Sequence, residues 1–146
     1  MSDSQTISEP HAPTPQGGSY IRVLIVDDHE MMRQSLRRLI NTYRNMEVVG
    51  EASDGLEAIE AMDVVRPDVV LMDIEMPRMN GIEATKRIKA AFPNTAIIGL
   101  SVNLAGNIIQ QMRVAGICSY LPKESAVGTL RQAIEEAASF REWSRG

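Results

Sequence analysis

Short apolar runs alternate with amphipathic stretches along most of this chain. The run 21–26, IRVLIV, is rich in β-branched residues and predicts a strand. In 30–43, EMMRQSLRRLINTY, the residues Met32, Leu36, Leu39, Ile40 and Tyr43 recur at helical spacing. The segment 46–52, MEVVGEA, predicts a second strand. A helix over 55–65 presents Leu56, Ile59 and Met62 on one face. Then come a strand at 68–72, DVVLM, and a helix at 81–92 that Pro93 stops. A strand at 95–100, TAIIGL, precedes a helix at 105–116 closing on Gly116. The last pair is a strand at 118–121, CSYL, and a helix at 125–140 with Val127, Leu130, Ile134 and Ala137 in register.

Five strand–helix units of this length predict an α/β protein with a parallel sheet and helices on both faces. Strands buried on both faces read as continuous apolar runs. The first, third and fourth strands do so; the second and fifth are mixed or short and belong at the edges. The expected fold is therefore doubly wound, a five-stranded parallel sheet of order 2-1-3-4-5 with five helices, flavodoxin-like.

Composition narrows the class. The 146 residues are 44% hydrophobic and 23% charged, as in soluble globular domains, and long enough for one core. A formal net charge of -4 argues against a nucleic-acid surface. The one cysteine, Cys118, allows no internal disulfide and suits a reducing compartment. No apolar run approaches the roughly 20 residues of a membrane span. The start of the chain has neither a basic nor an apolar segment, so no signal peptide is expected and a cytoplasmic protein is the simplest reading. Residues 1–19 are rich in Ser, Thr, Pro, Gln and Gly and are expected to form a disordered tail, with His11 a solvated side chain. The folded domain is expected over 20–140, and 141–146 is expected to begin a linker or C-terminal tail.

In a doubly wound sheet, function sits beyond the carboxyl ends of the strands. That edge receives Asp27 and Asp28 after strand one, Asp73 after strand three, Ser101 after strand four and Lys123 after strand five. Taken singly each is ordinary: an Asp after a strand caps or turns, a Ser caps, a Lys is solvated. Together they place three carboxylates, a hydroxyl and an ammonium in one crevice. Crowded carboxylates need compensating positive charge, and a hard divalent cation such as Mg2+ supplies it while leaving positions for water and phosphate oxygens. An Asp beside a metal and a fixed cation can itself accept a phosphoryl group. Arg33, Arg37 and Arg38 read as a solvated helix face.

The motifs VLIVDDHEMMRQSL, VVGEASDGLEAI, PDVVLMDIEMPRMNGIEATKRI, AIIGLS and AGICSYLPKESAVGTLRQAI occur in order. The chain resembles the receiver domain of bacterial two-component response regulators over about residues 21–139. His29 and the GEASDG segment make it most similar to receivers of LuxR/NarL-type transcriptional regulators. The resemblance implies that Asp73 is the phosphoacceptor and that Lys123 binds a phosphoryl oxygen. It implies that Mg2+ is held by Asp28, by Asp27 mainly through water, by Asp73 and by the backbone carbonyl of Glu75. Ser101 becomes the switch hydroxyl and Tyr120 the switch aromatic. The implied partner is a sensor histidine kinase, with homodimerisation on phosphorylation, and the implied output is transcription control through a DNA-binding domain outside this chain, which by itself binds neither DNA nor membrane. The chain departs from the pattern at Pro122, which precedes Lys123 where many receivers carry a proline after it. It departs also at Val102, whose bulk is expected to narrow access to Asp73.

Rival readings make different demands on the sequence. A stand-alone receiver acting through protein contacts or as a relay intermediate keeps the same chemistry. An aspartate-nucleophile phosphatase of the haloacid-dehalogenase type wants its nucleophile after the first strand and Thr or Val where Pro77 stands. A nucleotide-binding module wants glycines, not DDHEM, after strand one. An interaction domain that is never phosphorylated should lack an acidic residue or the lysine. The expectation is a non-enzymatic signalling domain.

Overall fold

The computed structural model describes residues 20–102 and 106–145, with side chains described through residue 139. The tail 1–19 with His11, and loop residues 103–105, lie outside the described residues. The strands are β1 (Ile21–Val26), β2 (Met46–Ala52), β3 (Val69–Asp73), β4 (Ala96–Ser101) and β5 (Ser119–Pro122). The helices are α1 (Glu30–Ile40), α2 (Gly55–Val65), α3 (Gly81–Ala91), α4 (Gly106–Ala115) and α5 (Ala126–Arg145), with a 3-10 turn over Lys123–Ser125. The strands form one parallel sheet of order β2-β1-β3-β4-β5, the 2-1-3-4-5 order expected from the sequence.

Because successive strand residues point to opposite faces, the sheet splits the core in two. Val23, Ile25, Val69, Leu71, Ile98 and Leu100 pack against Leu36 and Ile40 of α1 and Leu130 and Ile134 of α5. Leu24, Val26, Val70, Met72 and Ile97 pack against Ala58 and Met62 of α2, Ala84 and Ile88 of α3 and Met112 of α4. Both edge strands are irregular. Pairing of β1 with β2 shifts register between Val23 and Leu24, a bulge in the edge strand. The β5 edge has four residues and ends on Pro122, paired with Ser101.

Several element details differ from the periodicity. α1 stops at Ile40, and Thr42 and Tyr43 continue as turns, their N–H groups bonding to Leu39 and Ile40 carbonyls at 3.0 and 2.9 Å. Val127 is 67% exposed and Ala126 takes the buried place, because the 3-10 turn rotates the start of α5. Leu56, on the first turn of α2, is exposed, and the small Ala58 makes the sheet contact. α5 extends to Arg145, past the helix end expected at residue 140.

Candidate functional site

The carboxyl ends of β1 and β3 bring the acidic residues together. Asp73 is the last residue of β3 and only 3% exposed. It is thus a buried carboxylate at the strand end, rather than one that has emerged from the core. Asp27 is fully buried and Asp28 half-buried beside it. Asp27 and Asp73 each serve the local turn as expected of an aspartate after a strand. Asp27 Oδ1 accepts the His29 N–H at 2.8 Å and Asp73 Oδ1 accepts the Glu75 N–H at 3.3 Å. These turn bonds fall on Asp27 Oδ1 and Asp73 Oδ1, so Oδ2 of each carboxylate takes no part in them.

Lys123, on the turn after β5, reaches between them. Its Nζ lies 2.9 Å from Asp27 Oδ2 and 3.2 Å from Asp73 Oδ1. Burial disfavours the Lys123 ammonium, yet the two carboxylates outweigh that and hold its pKa above the ordinary lysine value. For Asp73 the balance runs the other way. Burial, then the charge on Asp27, push its pKa up to about 7 despite the opposing Lys123. The site is short of positive charge.

The oxygens show the same deficit. Asp73 Oδ2 is buried with no hydrogen-bond partner. Asp28 Oδ1 is also buried, with His29 Nδ1 at 3.2 Å, whereas Asp27 Oδ2 is met by the Lys123 ammonium. Buried carboxylate oxygens left without a partner are costly. One ligand atom from each of Asp27, Asp28, His29 and Asp73 lies within 4.8 Å of the others. This acidic cluster is compatible with a divalent metal ion, whose charge and coordination would satisfy these oxygens.

The other expected site residues divide. Ser101 is buried at the end of β4, on the neighbour of β3 in the sheet. Glu75 lies two residues beyond Asp73, in the loop before α3. Tyr120 is half-buried and packs with the cluster containing Met112 and Ile117 on the α4 side, with the Arg113 guanidinium 5.9 Å above its ring. It therefore lies along β5 rather than inside the acidic cluster. Val102, expected from its bulk to crowd Asp73, is largely exposed. The peptide bonds of the described residues are all trans.

Three further contributors lie outside the set of site residues expected from the sequence. His29 Nδ1 lies 3.2 Å from Asp27 Oδ1 and 3.2 Å from Asp28 Oδ1. Arg33 is not on a solvated face. Its Nη1 donates to the Asp27 carbonyl at 2.6 Å and its Nε to Glu51 at 3.2 Å, and Arg37 pairs with the same Glu51. The third is a latch on the β3–α3 loop. Arg78, in the left-handed region at φ 65°, binds Asp54 Oδ2 at 2.6 Å, while the Gly55 N–H donates to the Met79 carbonyl at 3.1 Å. Asp54 also caps α2 through the Glu57 N–H. The loop that carries Glu75 is thereby seated on the N-terminus of α2. At Gly81 a side chain would overlap the Asp73 carbonyl, so glycine is required where α3 starts.

A cavity of about 470 Å³ opens at the opposite, N-terminal ends of β4 and β5, lined by Lys89, Thr95, Gly116 and Cys118 among others. Lys89 there donates to the Pro93 and Thr95 carbonyls, both at 2.8 Å. Its ammonium closes a loop, and the charged groups of the molecule converge instead at the other end of the sheet.

Comparison with known proteins gives one family. Residues 23–135 match the model of the response regulator receiver domain. The transcriptional regulatory protein LiaR of Bacillus subtilis (strain 168) is 41% identical over 118 residues, which is 81% of this chain and 56% of LiaR. A protein-glutamate methylesterase/protein-glutamine glutaminase of Pyrococcus abyssi is 43% identical over 114 residues, 77% of this chain and 31% of that protein. Among solved structures, a LuxR-family two-component response regulator from Aurantimonas sp. SI85-9A1 superposes with TM-score 0.79 at 34% identity, covering 84% of this chain and 88% of that one. The chain spans about half the length of the LuxR/NarL-type regulators it matches. Among the described residues, no helix is long and apolar enough to cross a membrane.

Proposed function

This chain belongs to the response regulator receiver domain family, and we propose that it is a phosphoacceptor switch whose Asp73 takes a phosphoryl group from a phosphohistidine on a partner sensor histidine kinase. The observation that carries the reading is the placement of Lys123 Nζ 3.2 Å from Asp73 Oδ1, with Asp27 and Asp28 alongside. An Asp73 oxygen attacks phosphorus in line; the bond to the histidine nitrogen breaks and its electron pair stays with the imidazole. The product is an acyl phosphate on Asp73.

Asp28, Asp27, Asp73 and the Glu75 carbonyl would hold Mg2+, which when bound neutralises charge on the transferring phosphoryl oxygens. Lys123 pairs with a phosphoryl oxygen, exchanging its contact with Asp73 for one with the new group. Ser101, one strand over, donates its hydroxyl to another phosphoryl oxygen. Tyr120, packed against Met112, couples that movement to α4. The phosphoryl group ends on the chain itself, so the reading is non-enzymatic.

The output proposed is transcription control through a DNA-binding domain outside this chain, with phosphorylation favouring a homodimer, in the cytoplasm. The chain alone, acidic overall, is expected not to select DNA sequences. A second reading is favoured by the methylesterase relative, which couples a similar receiver to a different activity: the chain then works through protein contact or as a relay intermediate.

Incubation with acetyl phosphate and Mg2+, followed by intact mass, tests the acceptor. Wild type is expected to gain one phosphoryl group and Asp73→Asn none. An equal adduct on the Asn variant would refute Asp73 as the site.

A further inference from the structure

We propose that the acidic cluster is a mixed nitrogen–oxygen site in which His29 Nδ1 is a ligand, so that it prefers first-row transition ions of the Ni2+ and Zn2+ class to Mg2+. The inference rests on the reading of this cluster as a divalent metal site and adds to it a fifth residue and a metal preference.

Four side chains, not three, converge. The ligand atoms of Asp27, Asp28, His29 and Asp73 lie within 4.8 Å of one another. Ligands about 2.1 Å from an ion lie about 3 to 4 Å apart around it, so an entering ion would draw these atoms closer together. His29 is free to make that adjustment. It is the N-cap of α1 but its side chain makes no cap bond, and it is 69% exposed. Its Nδ1 already sits equally close to a carboxylate oxygen of Asp27 and one of Asp28. An ion entering between them would replace two long contacts by direct bonds to the same atoms.

The oxygen side of the site points to a ligand independently of the histidine. Asp73 Oδ2, on a side chain 4% exposed, has no hydrogen-bond partner among the described residues. A hard ion satisfies this oxygen whatever the fourth donor is. The imidazole sets the preference. Mg2+ gains little over water from a nitrogen donor, whereas Ni2+ and Zn2+ bind imidazole well and follow the ordinary order of transition-metal affinity. A neutral imidazole changes the donor set without changing the charge of the site, so it acts on metal identity and not on metal charge.

The test uses the full chain and titrates Ni2+ and Mg2+ separately by calorimetry at about pH 7.5. The wild type is expected to bind Ni2+ about 100-fold more tightly than Mg2+, and His29→Ala to lower that ratio about 10-fold or more. His11→Ala, in the tail, is the control and is expected to keep the ratio. A second readout follows the His29 imidazole nitrogen shift, which should move on adding Zn2+ and stay on adding Mg2+. A ratio in His29→Ala equal to wild type, or an imidazole signal indifferent to Zn2+, overturns the histidine ligand and leaves the carboxylate site standing. Failure of both ions to bind wild type overturns the histidine ligand and the metal site together.

Discussion

Asp73 is held in a state that its own fold disfavours. Its pKa of about 7 in the folded protein lies far above the ordinary aspartate value of 3.8, through burial first and the Asp27 charge second. The folded state therefore binds this proton more tightly than the unfolded chain. Its contribution to stability is complete below about pH 4 and is lost as pH rises through about 7. Removing the charge removes the loss: without metal, Asp73→Asn is expected to be more stable than wild type by on the order of 2 kcal/mol near pH 8 and by little near pH 4. Urea unfolding in chelator at the two pH values checks this, and saturating Mg2+ should narrow the gap at the higher pH. At this scale the sequence was informative for residues that end strands, since strand ends can be read from apolar runs. The strand-end positions of Asp27, Asp28, Asp73, Ser101 and Lys123 are legible that way. His29, Arg33 and the Asp54–Arg78 pair are not, because their roles depend on partners the topology supplies: Arg33 meets Glu51 on β2, and Arg78 meets Asp54 from 24 residues away.

At the scale of elements, periodicity located every helix but not its contacts. It favours large residues, whereas Ala58 and Ala126 hold the close approaches and Leu56 and Val127 face solvent. Helix starts are also turned by what precedes them, as the 3-10 turn does to α5. The strand order was legible because burial on both faces leaves a different pattern from burial on one. The latch between the β3–α3 loop and α2 yields a prediction with an internal control. Arg78→Ala loses the ion pair to the buried Asp54 and keeps an unfavourable positive φ, at an expected cost of about 2 kcal/mol. Arg78→Gly loses the same ion pair but removes the strain, and should cost about 1 kcal/mol less. Thermal unfolding of the two variants measures the difference; equal stabilities would show that the left-handed conformation carries no penalty here.

For the whole molecule, the proposed charge event at Asp73 would have to reach a surface. Strand pairing joins β3 to β4, which ends on Ser101, and β4 to β5, where Tyr120 pairs with Gly99 and packs in the cluster that holds Met112 of α4. A side chain at Gly99 would press on Met112 at 3.2 Å and approach Tyr120, so this strand and helix are already in close contact. Ser101→Ala is expected to accept the phosphoryl group at Asp73 but to show smaller amide shift changes over residues 106–121 than wild type. Changes of equal size and extent would send the signal by another route.

The sheet also decides how two such molecules can meet. An exposed strand edge is a template for another strand, and uncontrolled pairing along it leads to open-ended association. Here one edge carries a bulge that breaks the regular ladder, and the other offers four residues, the last a proline with no N–H to give. Neither edge offers a regular, full-length ladder to a strand from a second copy. Such edges steer self-association toward helical surfaces, which bury side chains rather than backbone and can close after two copies instead of growing into fibres.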